Sequence, residues 1–233
     1  MADDEPAGCA SPVGVIGLGL IGGSVAGAVL AAGGAVVGWD PDPATRDHAA
    51  AAGVTIAPSP EAVVAAVADG GVADRADDRV VVVAAPLDDA PGVVAAALAT
   101  GGPDGPTVTD VASVKGPVLA AAAGHPAYVT SHPMAGTERS GWAAASPTLF
   151  VGAPWLVLVD DDTALSRIAA VARLVLALGA RPVPLDPAGH DAVLATISHL
   201  PHVLAALLTL QAGPALPLAA GSLHGAARVA AGD

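Results

Sequence analysis

Along the chain, short apolar runs rich in β-branched residues alternate with longer Ala-rich stretches. The runs are Val13 to Ile16, Ala35 to Trp39, Arg79 to Ala84, Thr107 to Val111, Ala127 to Thr130, Trp155 to Val159 and Arg181 to Val183. Between them, Ser24 to Ala32, Pro60 to Val67, Pro91 to Leu98, Lys115 to Ala122 and Ala164 to Leu178 read as helices. This alternation predicts an α/β fold, a doubly wound and mostly parallel sheet with helices on both faces. The unbroken run Val80 to Val83 suits a strand buried on both sides. After Asp186 the strand signal stops, and His190 to Leu210 reads as one long helix. The expected organisation is therefore a tail over residues 1–12, a sheet domain over 13–186 and a smaller all-helical domain over 187–233. Ala68 to Asp78, rich in Gly and Asp, reads as a surface connection.

The same pattern decides a second question. Val13 to Trp39 carries no charge, and the mean hydropathy of the chain is +0.62, so a hydropathy window flags a membrane span there. Small residues at Gly19, Gly23 and Gly27 even repeat at helix-pairing distance. The run nevertheless opens as a strand, breaks at Gly17-Leu18-Gly19 and closes as a second strand before Asp40. It reads as strand, loop, helix and strand, with no membrane partner. The first residues carry Asp3, Asp4 and Glu5 in place of the basic start of a signal peptide, and read as a solvated tail.

Composition narrows the class. The chain is 53% hydrophobic but only 2% aromatic, so aliphatic side chains must fill the core. With 13% charged residues it resembles neither a disordered chain nor a coiled coil. A net charge of −13 argues against nucleic acid or an anionic membrane as a partner, because both need a basic face. The single cysteine, Cys9, excludes a disulfide scaffold and fits a reducing, cytoplasmic setting.

Chemistry enters at Gly17-Leu18-Gly19-Leu20-Ile21-Gly22, which follows a predicted strand and opens a predicted helix. In such a loop the first glycine makes the turn, the second lets backbone approach a pyrophosphate and the third allows close helix packing. Asp40, ending the next strand, would accept from ribose hydroxyls and favours NAD over its phosphorylated form. Gly17, Gly19, Leu20, Ile21, Gly22 and Asp40 are thus cofactor candidates. Arg46 stands near that acid.

Ligands of an open parallel sheet sit beyond the carboxyl ends of its strands. Three predicted ends carry unusual groups: Ala84-Ala85-Pro86, Asp110 to Lys115, and Ser131 to Glu138. Pro86 either terminates its strand or, with Ala85, lines the nicotinamide side of the crevice. Ser113 either caps a helix beginning at Val114 or takes part in the chemistry. His132 precedes Pro133, which forces extended backbone; it is either a buried structural histidine or a working one. Further on, His190-Asp191 precedes Ser198-His199-Leu200-Pro201-His202. Histidines three apart share a helix face, yet Pro201 and the want of further ligands speak against a metal site.

Taken together, Gly17 to Ser24, Asp110-x-x-Ser113-Val114-Lys115, His132-Pro133-Met134-Ala135-Gly136-Thr137-Glu138 and His190-Asp191 followed by Ser198 to His202 resemble the prephenate dehydrogenase family of tyrosine biosynthesis. The resemblance runs from Val13 to Val229. It implies a Rossmann domain followed by a helical domain that builds a homodimer, and NAD-dependent oxidative decarboxylation of prephenate to 4-hydroxyphenylpyruvate. His132 matches the histidine that accepts the ring-hydroxyl proton, and Ser113 a serine that helps to hold it. Thr137, Glu138 and His202 match groups near the substrate.

Arg228 matches the arginine that binds a substrate carboxylate, which its planar guanidinium can grip through two parallel hydrogen bonds. Around it, His224, Gly225 and Ala227 depart from the family's Arg, Asp and Thr. Arogenate is the alternative substrate, and a noncatalytic NAD-binding paralogue the alternative role. Family members continue past the position of Arg228, so the resemblance also implies a shortened helical part here. Its apolar helix around Val203 to Leu210 would then need cover from a partner.

Overall fold

A computed structural model describes residues 12–70, 78–160, 162–218 and 220–230. Cys9, most of the expected N-terminal tail and much of the Ala68 to Asp78 connection lie outside the described residues. The first half winds as β1 (Val13–Ile16), α1 (Leu20–Ala31), β2 (Val36–Trp39), α2 (Pro43–Ala51), β3 (Thr55–Ile56), α3 (Pro60–Asp69), β4 (Val80–Val83), α4 (Ala90–Gly101) and β5 (Thr107–Asp110). These strands form a five-stranded sheet in the order β3-β2-β1-β4-β5, parallel throughout. This is the doubly wound arrangement that the alternating pattern predicts. β1 and β4 are buried at every position, as strands covered on both faces should be. One face packs on Val25 and Val29 of α1, the other on Val63, Val64 and Val67 of α3. Each of these buried valines contributes on the order of 1.5–3 kcal/mol. Val13 to Trp39, the charge-free run, is thus strand, helix and strand inside this layer.

The sequence pattern missed α2 and β3 and placed the start of α1 too late. Asp42 caps α2 through bonds from the Ala44 and Thr45 N–H groups, with Pro43 in the first turn. Only Ala49 of that helix is buried, so no apolar stripe advertises it. β3 is two residues long, too short for a period.

After β5 come α5 (Gly116–Ala122), β6 (Ser131–Pro133), a short 3₁₀ turn, β7 (Pro154–Leu158), α6 (Leu165–Ala177) and β8 (Arg181–Leu185). They complete a second sheet, β6-β7-β8, in which β6 runs antiparallel to β7 and β8 parallel to it. The run Ala127 to Thr130, expected as a strand, touches β5 through one bridge at Val108 and Tyr128, and the regular strand begins a step later at Ser131. The hydroxyls of Tyr128 and Thr130 both donate to Asp110, so this stretch is bound to a side chain at the end of β5 more than to a backbone ladder.

Asp186 caps α7 (Pro187–Leu194), accepting from the Ala188 N–H, and no strand follows among the described residues. A wide π-turn over Ala195–His199 joins α7 to α8 (Leu200–Ala212), which is followed by α9 (Gly221–Ala230) packed against α8. The turn lies just ahead of Pro201, which has no N–H for the carbonyl four residues back and crowds it with its ring. Pro187 to Ala212 is long and apolar enough, by length and composition, to cross a membrane. Leu200, Val203, Leu204, Leu207 and Leu208 are exposed along it.

Candidate active site

The strand order reverses between β1 and β4, so the crevice beyond their carboxyl ends is where a ligand belongs. The glycine loop closes one side. Gly17 has φ +92°, and a Cβ there would lie 2.4 Å from the Ala84 carbonyl oxygen, so the loop rests on the end of β4. A Cβ on Gly22 would lie 1.8 Å from the Gly17 oxygen, which lets the first turn of α1 close on the loop only if the residue is glycine. Gly19 is extended and faces open space. α1 starts at Leu20 with neither a side-chain cap nor an acid in its first turn. The N–H groups of Leu20, Ile21 and Gly22 there suit a diphosphate.

Asp40 follows directly on β2, beside this loop. Its carboxylate accepts from the Leu18 N–H at 2.7 Å and from the Asp42 N–H at 2.9 Å, which fixes it at the crevice rim. Arg46 donates to the Asp40 and Pro41 carbonyls. Ala85 is half-buried and Pro86 exposed just past β4. The donor set fits a dinucleotide.

At the end of β5 the chemistry is buried. Lys115 and Asp110 are both fully buried and pair at 2.6 Å. The ammonium also donates to the Ser131 carbonyl at 2.5 Å, while Asp110 receives the Tyr128 and Thr130 hydroxyls and the Ala112 N–H. Burial pulls the Lys115 pKa down against the upward pull of Asp110. Burial together with Asp110 pushes the Tyr128 phenol up. Ser131 adds a hydroxyl that bonds the Asp110 carbonyl and receives the indole N–H of Trp155. Its backbone is therefore held from several directions.

Side chains alternate along a strand, so fixing Ser131 inward sends His132 to the other face. His132 pairs with Leu156 in β7 and is itself buried, on the sheet face where Leu156 and Leu158 pack with Leu194 of α7. Its Nδ1 lies 3.1 Å from Nε2 of His190, a fully buried residue of α7. Nδ1 of His190 lies 2.7 Å from Asp191. Burial, then the positive charge of Lys115, then His190 push the His132 pKa down to about 3, with His199 adding in the same direction and Asp110 opposing. His132 is neutral at pH 7.

Asp191 reaches across to the first half of the chain and accepts from the backbone N–H of Lys115 at 2.9 Å and of Gly116 at 3.1 Å. Partial burial would raise its pKa, but these bonds and the one from His190 hold it below the ordinary carboxylate range. The cap of α5 is thus supplied from α7. Ser113 lies exposed in a bend and does not cap a helix at Val114; α5 begins at Gly116.

Other expected residues lie further out. Thr137 and Glu138 are exposed on the loop after β6, where Thr137 bonds the backbone of Arg139. His202 is exposed on α8, with Nδ1 2.9 Å from the Ser198 carbonyl. Arg228 is exposed on α9. Lys115, Asp110, His190 and Asp191 carry more of the site than the motifs alone assigned to them. The chain's lone lysine, placed among apolar residues after a strand-ending Asp, was the available signal.

A dinucleotide loop at the reversal point and a neutral buried histidine on the short strand of the second sheet define a nucleotide-binding domain of the dehydrogenase type. "Prephenate dehydrogenase, nucleotide-binding domain" is the family description that matches residues 25–183, and the chain belongs to the prephenate dehydrogenase family. The prephenate dehydrogenase of Bacillus subtilis is 31% identical over 207 residues, covering 84% of this chain and 52% of that protein. A Corynebacterium glutamicum structure described as a candidate prephenate dehydrogenase superposes with a TM-score of 0.85 at 35% identity, covering 96% of this chain and 72% of that one. The prephenate dehydrogenase of Aquifex aeolicus, solved with hydroxyphenyl propionate and NAD+, gives 0.79 at 25% identity, covering 96% and 79%. The chain spans about half the length of the curated relatives it matches most extensively.

Replacing Lys115 by Met leaves the Asp110 carboxylate buried without its partner, and the expected loss is about 3–5 kcal/mol in urea unfolding. Pairing that change with Asp110→Asn should recover part of it. A single-variant loss below about 1 kcal/mol would contradict the assigned weight of the pair.

Proposed function

We propose that the chain carries out NAD-dependent oxidative decarboxylation of prephenate, with His132 as the base. The observation that carries this reading is His132 itself, neutral and buried in the middle of β6 in a chain of this family. When bound, NAD supplies the two-electron acceptor for the hydride of the ring carbinol carbon. His132 takes the hydroxyl proton as that carbon gains carbonyl character. Loss of CO₂ then returns the electron pair of the broken C–C bond to the ring, and the oxygen that becomes the phenol takes its proton back from His132. The proton is borrowed, so a base that is neutral before and after the cycle suffices.

Ser113 holds the same hydroxyl in this reading, while Arg228, His202, Thr137 and Glu138 meet the substrate's carboxylates and the mouth of the site. Arg228, His202, Thr137 and Glu138 are exposed and come from both halves of the chain, consistent with a site completed around a ligand. Residues 13–186 hold the nucleotide and present Ser113, His132, Thr137 and Glu138 to the substrate, and 187–233 add His202 and Arg228 and build the dimer. Arogenate, which has the same ring and carbinol, is the second reading for the substrate. The location is the cytoplasm.

We also propose that a second copy covers the exposed apolar face of α8. Leu200, Val203, Leu204, Leu207 and Leu208 make a stripe too large to be left in water without cost. Sedimentation in detergent-free buffer should give a homodimer that Leu204→Glu splits. A monodisperse monomer, or a chain soluble only in detergent, would contradict it.

The reaction is tested by following NADH formation with prephenate and with arogenate. His132→Ala should lower turnover by about 10²–10⁴-fold and leave NAD affinity unchanged. Wild-type turnover in that variant, or no NADH with either substrate from the dimer, would sink the assignment.

A further inference from the structure

The Asp191 carboxylate sits below the ordinary pKa range and has no proton to give. The hydrogen between it and His190, 2.7 Å away, must therefore belong to Nδ1 of His190. With that single proton on the fully buried His190 ring, its Nε2 is bare, and that atom lies 3.1 Å from Nδ1 of His132. The hydrogen of this second bond then belongs to His132. Since His132 is neutral, its Nε2 is bare too.

We propose that His190 and Asp191 form a hydrogen-bonded relay behind His132 that fixes its tautomer and leaves Nε2 as the proton-accepting atom. The relay is anchored at its far end, because the same Asp191 carboxylate holds the N–H groups of Lys115 and Gly116. Its members also come from both halves of the chain. His132 stands on β6, whereas His190 and Asp191 stand on α7, so docking of the helical part sets the tautomer of the base. His190 touches no reacting atom in this scheme and is a positioning residue. Its ring, inclined at 58° to that of His132 with centroids 5.3 Å apart, serves for hydrogen bonding and not for stacking.

This inference rests on the reading of His132 as the base, yet its first test needs no substrate. Long-range ¹H–¹⁵N correlation on the ¹⁵N-labelled full chain at pH 7 reports which ring nitrogens carry hydrogen. Both His132 and His190 should show protonated Nδ1 and bare Nε2. In His190→Phe the preference of His132 should be lost. In His190→Gln it should persist, because the amide can accept from His132 while donating to Asp191. In the NADH assay, His190→Phe should lower kcat by about 10–100-fold with KM little changed, and His190→Gln should restore most of it. A protonated Nε2 on His132 in the unaltered chain, or a His190 carrying both protons, overturns the relay. So does an unchanged His132 tautomer in His190→Phe. If His190→Phe does not fold, the unaltered chain and His190→Gln still decide. If the tautomers are as stated and no NADH forms, the relay stands and the proposed reaction fails.

Discussion

The buried pair of Asp110 and Lys115 is the constraint on which the rest of the site depends. Removing both charges from water is costly, and good geometry with full hydrogen bonding is what offsets it. Here the carboxylate receives two hydroxyls and a backbone N–H besides the ammonium, and the ammonium also reaches the Ser131 carbonyl. The pair thereby links the end of β5, the loop before α5 and the start of β6. That link decides the register of three residues in β6, and with it the face on which His132 stands. The Lys115 charge has a second consequence. It adds to burial in keeping the imidazole of His132 neutral.

The second half of the chain meets this arrangement at Asp191. One carboxylate replaces the cap that α5 does not carry in its own sequence and at the same time holds His190. Leu194, one helical turn beyond His190, packs against Leu156 and Leu158 on the same face. Apolar packing and a charge-assisted bond thus act together, and α7 is seated on the second sheet beside the histidine it supports.

Much of the fold was legible in the chain. The glycine loop, the valine run of β4 and the acid directly after β2 each state their role locally, because turn geometry and two-sided burial leave strong patterns. The helical run after residue 186 was legible from its length and the lack of strand signals, although a π-turn over Ala195–His199 interrupts it. What failed was set by distant partners. Ser113 has the chemistry of a cap, but the cap of α5 comes from Asp191, far away in sequence. The strand expected over Ala127 to Thr130 gives way to side-chain bonds toward Asp110. His132 was readable as a candidate from its place before Pro133. Its neutral state was not, since that depends first on burial and then on Lys115, His190 and His199 being brought around it by folding. The hydropathy of Val13 to Trp39 suggested a span where there is core, while the exposed apolar helix lies at Pro187 to Ala212.

The central claim is that burial beside Lys115 keeps His132 uncharged, so that it can take a proton. The charged and titratable groups that act on it are Lys115 and Asp110 from the first half of the chain and His190 and His199 from the second, and only Asp110 opposes the downward shift. Titrating the His132 ring signals by NMR from about pH 8 to about pH 5 tests this most directly. The account predicts a ring that stays neutral over the whole range, with protonation setting in only at lower pH. A midpoint at the ordinary histidine value of about 6.5 would contradict it.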